Sequence, residues 1–184
     1  MQNRATLTTA IAALLAVGVL YGIGYGPVHA KAVLPAPLTA ETEAKAAPVP
    51  QTPFVDAAGG KHRIADFKGH YVLVNLWATW CAPCVSELPA LAKLQASVPG
   101  LKVLAVDVGH DKTDVAAAFL KSHNVAQLGT FVDTDLALLH AFGAYGLPTT
   151  VLIDPSGKEV ANAEGPGEWA SPASIAYFKA ITKS

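Results

Sequence analysis

The most constraining feature of the sequence is the junction at residues 71–84. There the run YVLVNLWA, Tyr71 to Ala78, leads directly into Thr79-Trp80-Cys81-Ala82-Pro83-Cys84. A near-continuous apolar run of this length is expected of a central strand covered on both faces. Pro83 has no amide hydrogen and suits the first turn of a helix. A helix is therefore predicted from Pro83 to about Ala96, with Cys84, Leu88, Leu91 and Gln95 on one side at 3.6-residue spacing. The two cysteines thus sit where a buried strand hands over to a helix.

They are the only cysteines in the chain. Two are too few for a disulfide-stapled scaffold, so any cysteine chemistry belongs to this pair. Thiols two residues apart at a helix start can close a disulfide on one turn, and the amino end of the helix favours a thiolate on the first. Cys81 is therefore expected to attack, with a pKa below the free-thiol value of about 8.5. Cys84, one turn in, is expected to be shielded and to resolve the mixed disulfide. Half a zinc site is the competing use, but four-coordination needs more ligands and none of the six histidines has a His-x₃₋₅-His neighbour. No metal site is expected.

The rest of the chain alternates short strands and helices. Phe54 to Ile64, turning at Gly59-Gly60, reads as a hairpin. Strands are predicted at 101–108, 130–133, 149–154 and 159–164, and helices at 115–122, 136–142 and 174–182. Alternation followed by a terminal hairpin and helix predicts an α/β domain, a central mixed β-sheet flanked by helices in a thioredoxin-like arrangement. Asp107, Asp111, Asp114 and His110 read as the polar end of a strand and the cap of the next helix rather than as a metal loop. Trp77 belongs to the core, and Trp169 is expected as a lid over the sheet edge.

Composition locates a second region. Fully 52% of residues are hydrophobic and 15% charged, against roughly 45–50% and about 25% in ordinary soluble domains. The excess lies at residues 5–28, which contain no Asp, Glu, Lys or Arg. That length suffices for a transmembrane helix; a signal peptide cleaved after Ala30 is the competing reading. Residues 29–52, rich in Ala and Pro, read as an extended tether, and 53–184 as the redox domain. The net charge of −1 lacks the basic excess of a nucleic-acid binder.

NLWATWCAPCVSELPAL, followed by GLPTTVLIDPSGKEV, resembles the membrane-anchored thioredoxin-like proteins of the TlpA, ResA and CcmG group. GPGEWAS at 165–171 and the LYGIG run bring it nearest the TlpA branch. The resemblance implies a cis proline at Pro148 beside the disulfide, with Leu147 offering main-chain groups to an incoming peptide and Trp80 forming part of the docking surface. An ordinary trans proline opening a strand is the plain alternative. It implies also that Glu87 tunes the thiols and relays a proton, against the alternative of a solvated residue at a helix end. Asn75 stands where soluble thioredoxins carry a buried aspartate, which raises the importance of Glu87.

By the same resemblance the chain would be a protein-disulfide reductase anchored in a bacterial inner membrane. Its domain would face the periplasm, supplied by a transmembrane electron donor and needing no cofactor beyond the Cys81–Cys84 pair. Its expected partners are a copper chaperone and a cytochrome oxidase subunit; haem attachment to apocytochrome c is the alternative. A thiol peroxidase would place its cysteine in a Thr-x-x-Cys setting, and a copper-binding assembly factor would space its cysteines by three. Neither pattern is present.

Overall fold

The structure, a computed structural model, describes residues 33–40 and 48–183. The expected anchor at 5–28 lies outside the described residues. Among those described, no helix is long and apolar enough to cross a membrane.

Eight strands form one mixed sheet: β1 (Thr39–Ala40), β2 (Phe54–Asp56), β3 (Lys61–His62), β4 (Tyr71–Trp77), β5 (Leu101–Asp107), β6 (Phe131–Val132), β7 (Thr149–Ile153) and β8 (Glu159–Glu164), in the order β1-β8-β7-β4-β5-β6-β2-β3. β4 runs parallel to β5 and antiparallel to β7. The helices are α1 (Ala82–Ser97), α2 (Thr113–Ser122), α3 (Ala137–Ala141) and α4 (Pro172–Ile181).

Alternation along β4 divides its side chains between two cores. Leu73 and Trp77 join Cys84, Leu88, Leu91, Trp169 and Phe178 under α1 and α4. Val72, Val74 and Leu76 join Phe54, Ile64, Val106, Leu138 and Val151 on the other face. Asn75 shares parity with Leu73 and Trp77, so this polar residue faces α1. Helix α1 buries Cys84, Glu87, Leu88, Leu91, Ala92 and Leu94. Gln95 departs from the expected stripe: it is half-buried and donates to the Gln127 carbonyl, while Leu94 carries the buried face.

Residues 33–40 lie within the stretch expected as a tether, yet Thr39 and Ala40 pair with β8 and Leu38 joins the core under α1. Val49 is buried on the opposite face. The prolines here do not keep the segment off the domain, because Leu38 and Val49 are buried against the sheet.

Candidate active site

The strand-to-helix junction places Cys81 at the N-cap of α1, with Pro83 in the first turn. Cys81 and Cys84 form a disulfide with sulfurs 2.03 Å apart. Cys84 is fully buried and Cys81 is 5% exposed, so only the first sulfur has any access from outside. Cys81 Sγ accepts from the Cys84 amide at 3.4 Å, and that amide and the helix end would face a thiolate there once the bond is reduced. Trp80 stands outside, 69% exposed, and with Thr79, Val115, Ala118, Phe119 and Ser122 it lines a shallow apolar groove. Leu147–Pro148 is a cis peptide bond. Pro148 is buried beside β7, and half-buried Leu147 packs against both cores.

Glu87, three residues beyond Cys84 on the same helix face, is 4% exposed. The solvated alternative is therefore not what the structure holds. Its Oε1 accepts from Asn75 Nδ2 at 2.7 Å; its Oε2 accepts from the Gly167 amide at 2.9 Å and from Trp169 Nε1 at 2.7 Å. Burial pushes the carboxyl above its ordinary range, while these three donors pull it partly back. Asn75 Nδ2 also donates to Thr150 Oγ1 at 3.0 Å, and Asn75 Oδ1 is buried without a partner.

Trp169 is not a lid over the sheet edge. It is fully buried because its indole N–H is committed to Glu87. Gly167 must be a glycine for the same packing, since a Cβ there would overlap the Trp169 ring and lie 2.9 Å from Pro37. The family resemblance singled out Asn75 and Glu87 without placing them in contact, and no local signal points to Trp169 or Gly167.

Of the acidic residues at 107–114, Asp107 ends β5 as expected, whereas Asp111 departs from expectation. Asp111 caps no helix, and the N-cap of α2 is Lys112. Asp111 Oδ2 instead accepts from Thr79 Oγ1 at 2.6 Å, and Asp107 is fully buried at the end of β5. No group of three or more potential metal ligands occurs among the described residues.

Comparison with known proteins agrees with this geometry. The AhpC/TSA family matches residues 42–161. Thiol-disulfide oxidoreductase ResA of Bacillus subtilis (strain 168) is 39% identical over 107 residues, covering 57% of this chain and 59% of the relative. The chain thus spans less than two thirds of that relative's length. ResA of Bacillus thuringiensis subsp. konkukian (strain 97-27) is 33% identical over 130 residues, covering 69% of this chain and 72% of the relative. A crystal structure of a thiol:disulfide interchange protein of the thioredoxin family from Chlorobium tepidum TLS superposes with a TM-score of 0.58 at 28% identity, covering 77% of this chain and 97% of that one. The chain belongs to the AhpC/TSA family and, within it, to the ResA-type thioredoxin-like thiol-disulfide oxidoreductases.

Proposed function

We propose that the chain is a protein-disulfide reductase working by exchange at Cys81 and Cys84. The observation that carries this is the asymmetry of the pair: Cys81 at the helix N-cap is reachable, whereas Cys84 is fully buried one turn from a buried carboxyl. The Cys81 thiolate attacks a partner's disulfide, and the partner's second sulfur leaves as a thiolate. Cys84 then gives its proton toward Glu87 and attacks the Cys81 sulfur. The partner leaves with both sulfurs reduced, and Cys81–Cys84 is left oxidised. Trp80 and the Leu147–Pro148 turn flank the point of attack and hold the partner's chain. No bound cofactor takes part.

In this reading residues 5–28 anchor the chain in a bacterial inner membrane with the domain in the periplasm, or the domain is released there if cleavage follows Ala30. Re-reduction comes from a transmembrane electron donor. The partners are a copper chaperone and an oxidase subunit whose cysteines must be reduced to bind copper; the likeness of GPGEWAS to the TlpA branch supports this over haem attachment.

The test is to express the Cys84→Ser chain, isolate the mixed disulfides on Cys81 and identify the trapped proteins. Copper-assembly proteins are expected, and trapped apocytochrome c would replace that role with haem maturation. A reduction potential well above about −180 mV would argue for an oxidant instead.

A further inference from the structure

A second buried carboxyl lies at the other end of the exchange loop. Asp107 closes β5, in register with Trp77 at the end of β4, and is fully buried. Its Oδ1 accepts from the Gly109 amide at 2.7 Å, while its Oδ2 is buried with no partner. The Asp111 carboxyl is near enough to act on Asp107 both as a charge and as a hydrogen-bonding side chain. Asp111 in turn holds Thr79, two residues before Cys81. The two loops are pressed together: a Cβ on Gly109 would lie 2.7 Å from Ala78 Cβ and 3.1 Å from Trp80 Nε1.

We propose that Asp107 and Asp111 hold one proton between them, and that this shared proton braces the Thr79-Trp80-Cys81 loop, making both positioning residues for exchange at Cys81. The inference rests on the functional reading above for the role of Cys81. A proton on the orphaned Asp107 oxygen can be donated to Asp111, which then bridges Asp107 and Thr79. Without it, two like charges face each other where one buried oxygen has no protein donor. Burial, joined by the Asp111 charge, pushes Asp107 up to about 6, so the proton is exchanged with water on the mildly acid side of neutrality.

The neighbouring titratable groups do not supply the missing partner. Asp133 spends its carboxylate on the Leu138 and Asp135 amides. His110 Nδ1 lies 2.6 Å from the Thr134 carbonyl. Lys112 and Asp114 begin α2. His62 meets Asp56 on the far hairpin, 2.7 Å from its Oδ2. Glu87 faces the core under α1.

The experiment is a pH titration of tryptophan emission in the full chain with its disulfide intact, so that neither cysteine titrates. The expected result is an inflection below neutrality that is lost in both D107N and D111N, each neutral and able to hydrogen-bond, and retained in E87Q. Absence of the inflection from the parent, its persistence in both Asp variants, or its loss in E87Q alone would overturn the proposal. In the reduced chain, alkylation of Cys81 by iodoacetamide at pH 8 should be about two- to fivefold faster in D107N, since one negative charge near the thiolate is gone. An unchanged rate would overturn the link to Cys81. The titration involves no disulfide reduction, so a chain that shows the inflection but reduces no protein disulfide fails the functional reading alone.

Discussion

Glu87 and Asp107 are both buried carboxyls beside one strand, and both are pushed toward protonation by loss of water. They differ in company. Glu87 is met by three donors drawn from β4, the turn after β8 and the segment before α4; Asp107 is met by one donor and by a second carboxylate. The first is an acceptor site that tolerates charge, the second a site that resists it. A group that receives a proton during exchange needs the former environment, and a group that reports acidity needs the latter.

The comparison breaks hardest at Glu87. Glu87→Ala leaves the Asn75 amide, the Gly167 N–H and the Trp169 N–H facing a hole, and should cost about 2–4 kcal/mol in denaturant unfolding. Glu87→Gln should fold, yet slow the release of the mixed disulfide by about a hundredfold, the low end for a lost proton acceptor; stopped-flow reduction of insulin measures it. An unchanged rate would make the two carboxyls equivalent and remove the relay.

Asp107→Asn should stabilise the domain. The folded-state pKa of Asp107 lies above its unfolded value, so the group's contribution is full below about 4 and is lost as pH rises through about 6. The neutral variant escapes that loss: it should gain about 1–3 kcal/mol at pH 7.5 and show a flatter stability profile between pH 4 and 6 in urea melts. Trp169→Phe sharpens the contrast from the other side by deleting one donor to Glu87. It should cost about 1–2 kcal/mol and raise the Glu87 pKa further, readable by carboxyl carbon NMR. Smallest of all, Trp80→Ala should leave thermal stability within about 0.5 kcal/mol, because the side chain is exposed, while weakening turnover of protein disulfides more than of a small aromatic disulfide.

The junction that carries the cysteines was legible from local pattern: the run at 71–78 declared a strand covered on both faces, and Pro83 marked the start of the helix. Asn75 and Glu87 drew attention through the family resemblance, and the hydrogen bond between them is visible only in the fold. Pro148 came from its resemblance to family members and not from any local rule. Trp169 was misread because its partner lies 82 residues away, and nothing in GPGEWAS marks which face its indole takes. Asp107 and Asp111 looked like the polar end of a strand because only the tight approach of the 107–111 loop to the 78–80 loop reveals that one oxygen is stranded. Pro89, inside α1, interrupts no packing because it is exposed.

The two-residue strand β1 has a consequence for handling the molecule. β8 is a long outer strand, and Thr39 with Ala40 occupies part of its open side. A shortened chain beginning at Pro48 would leave that row of amides and carbonyls ready to recruit the same edge of another copy. It would also strip Pro37 from the Gly167 and Trp169 packing. Trimming what looks like a dispensable leader would therefore make the protein more prone to self-association, with its carboxyl network loosened at the same stroke.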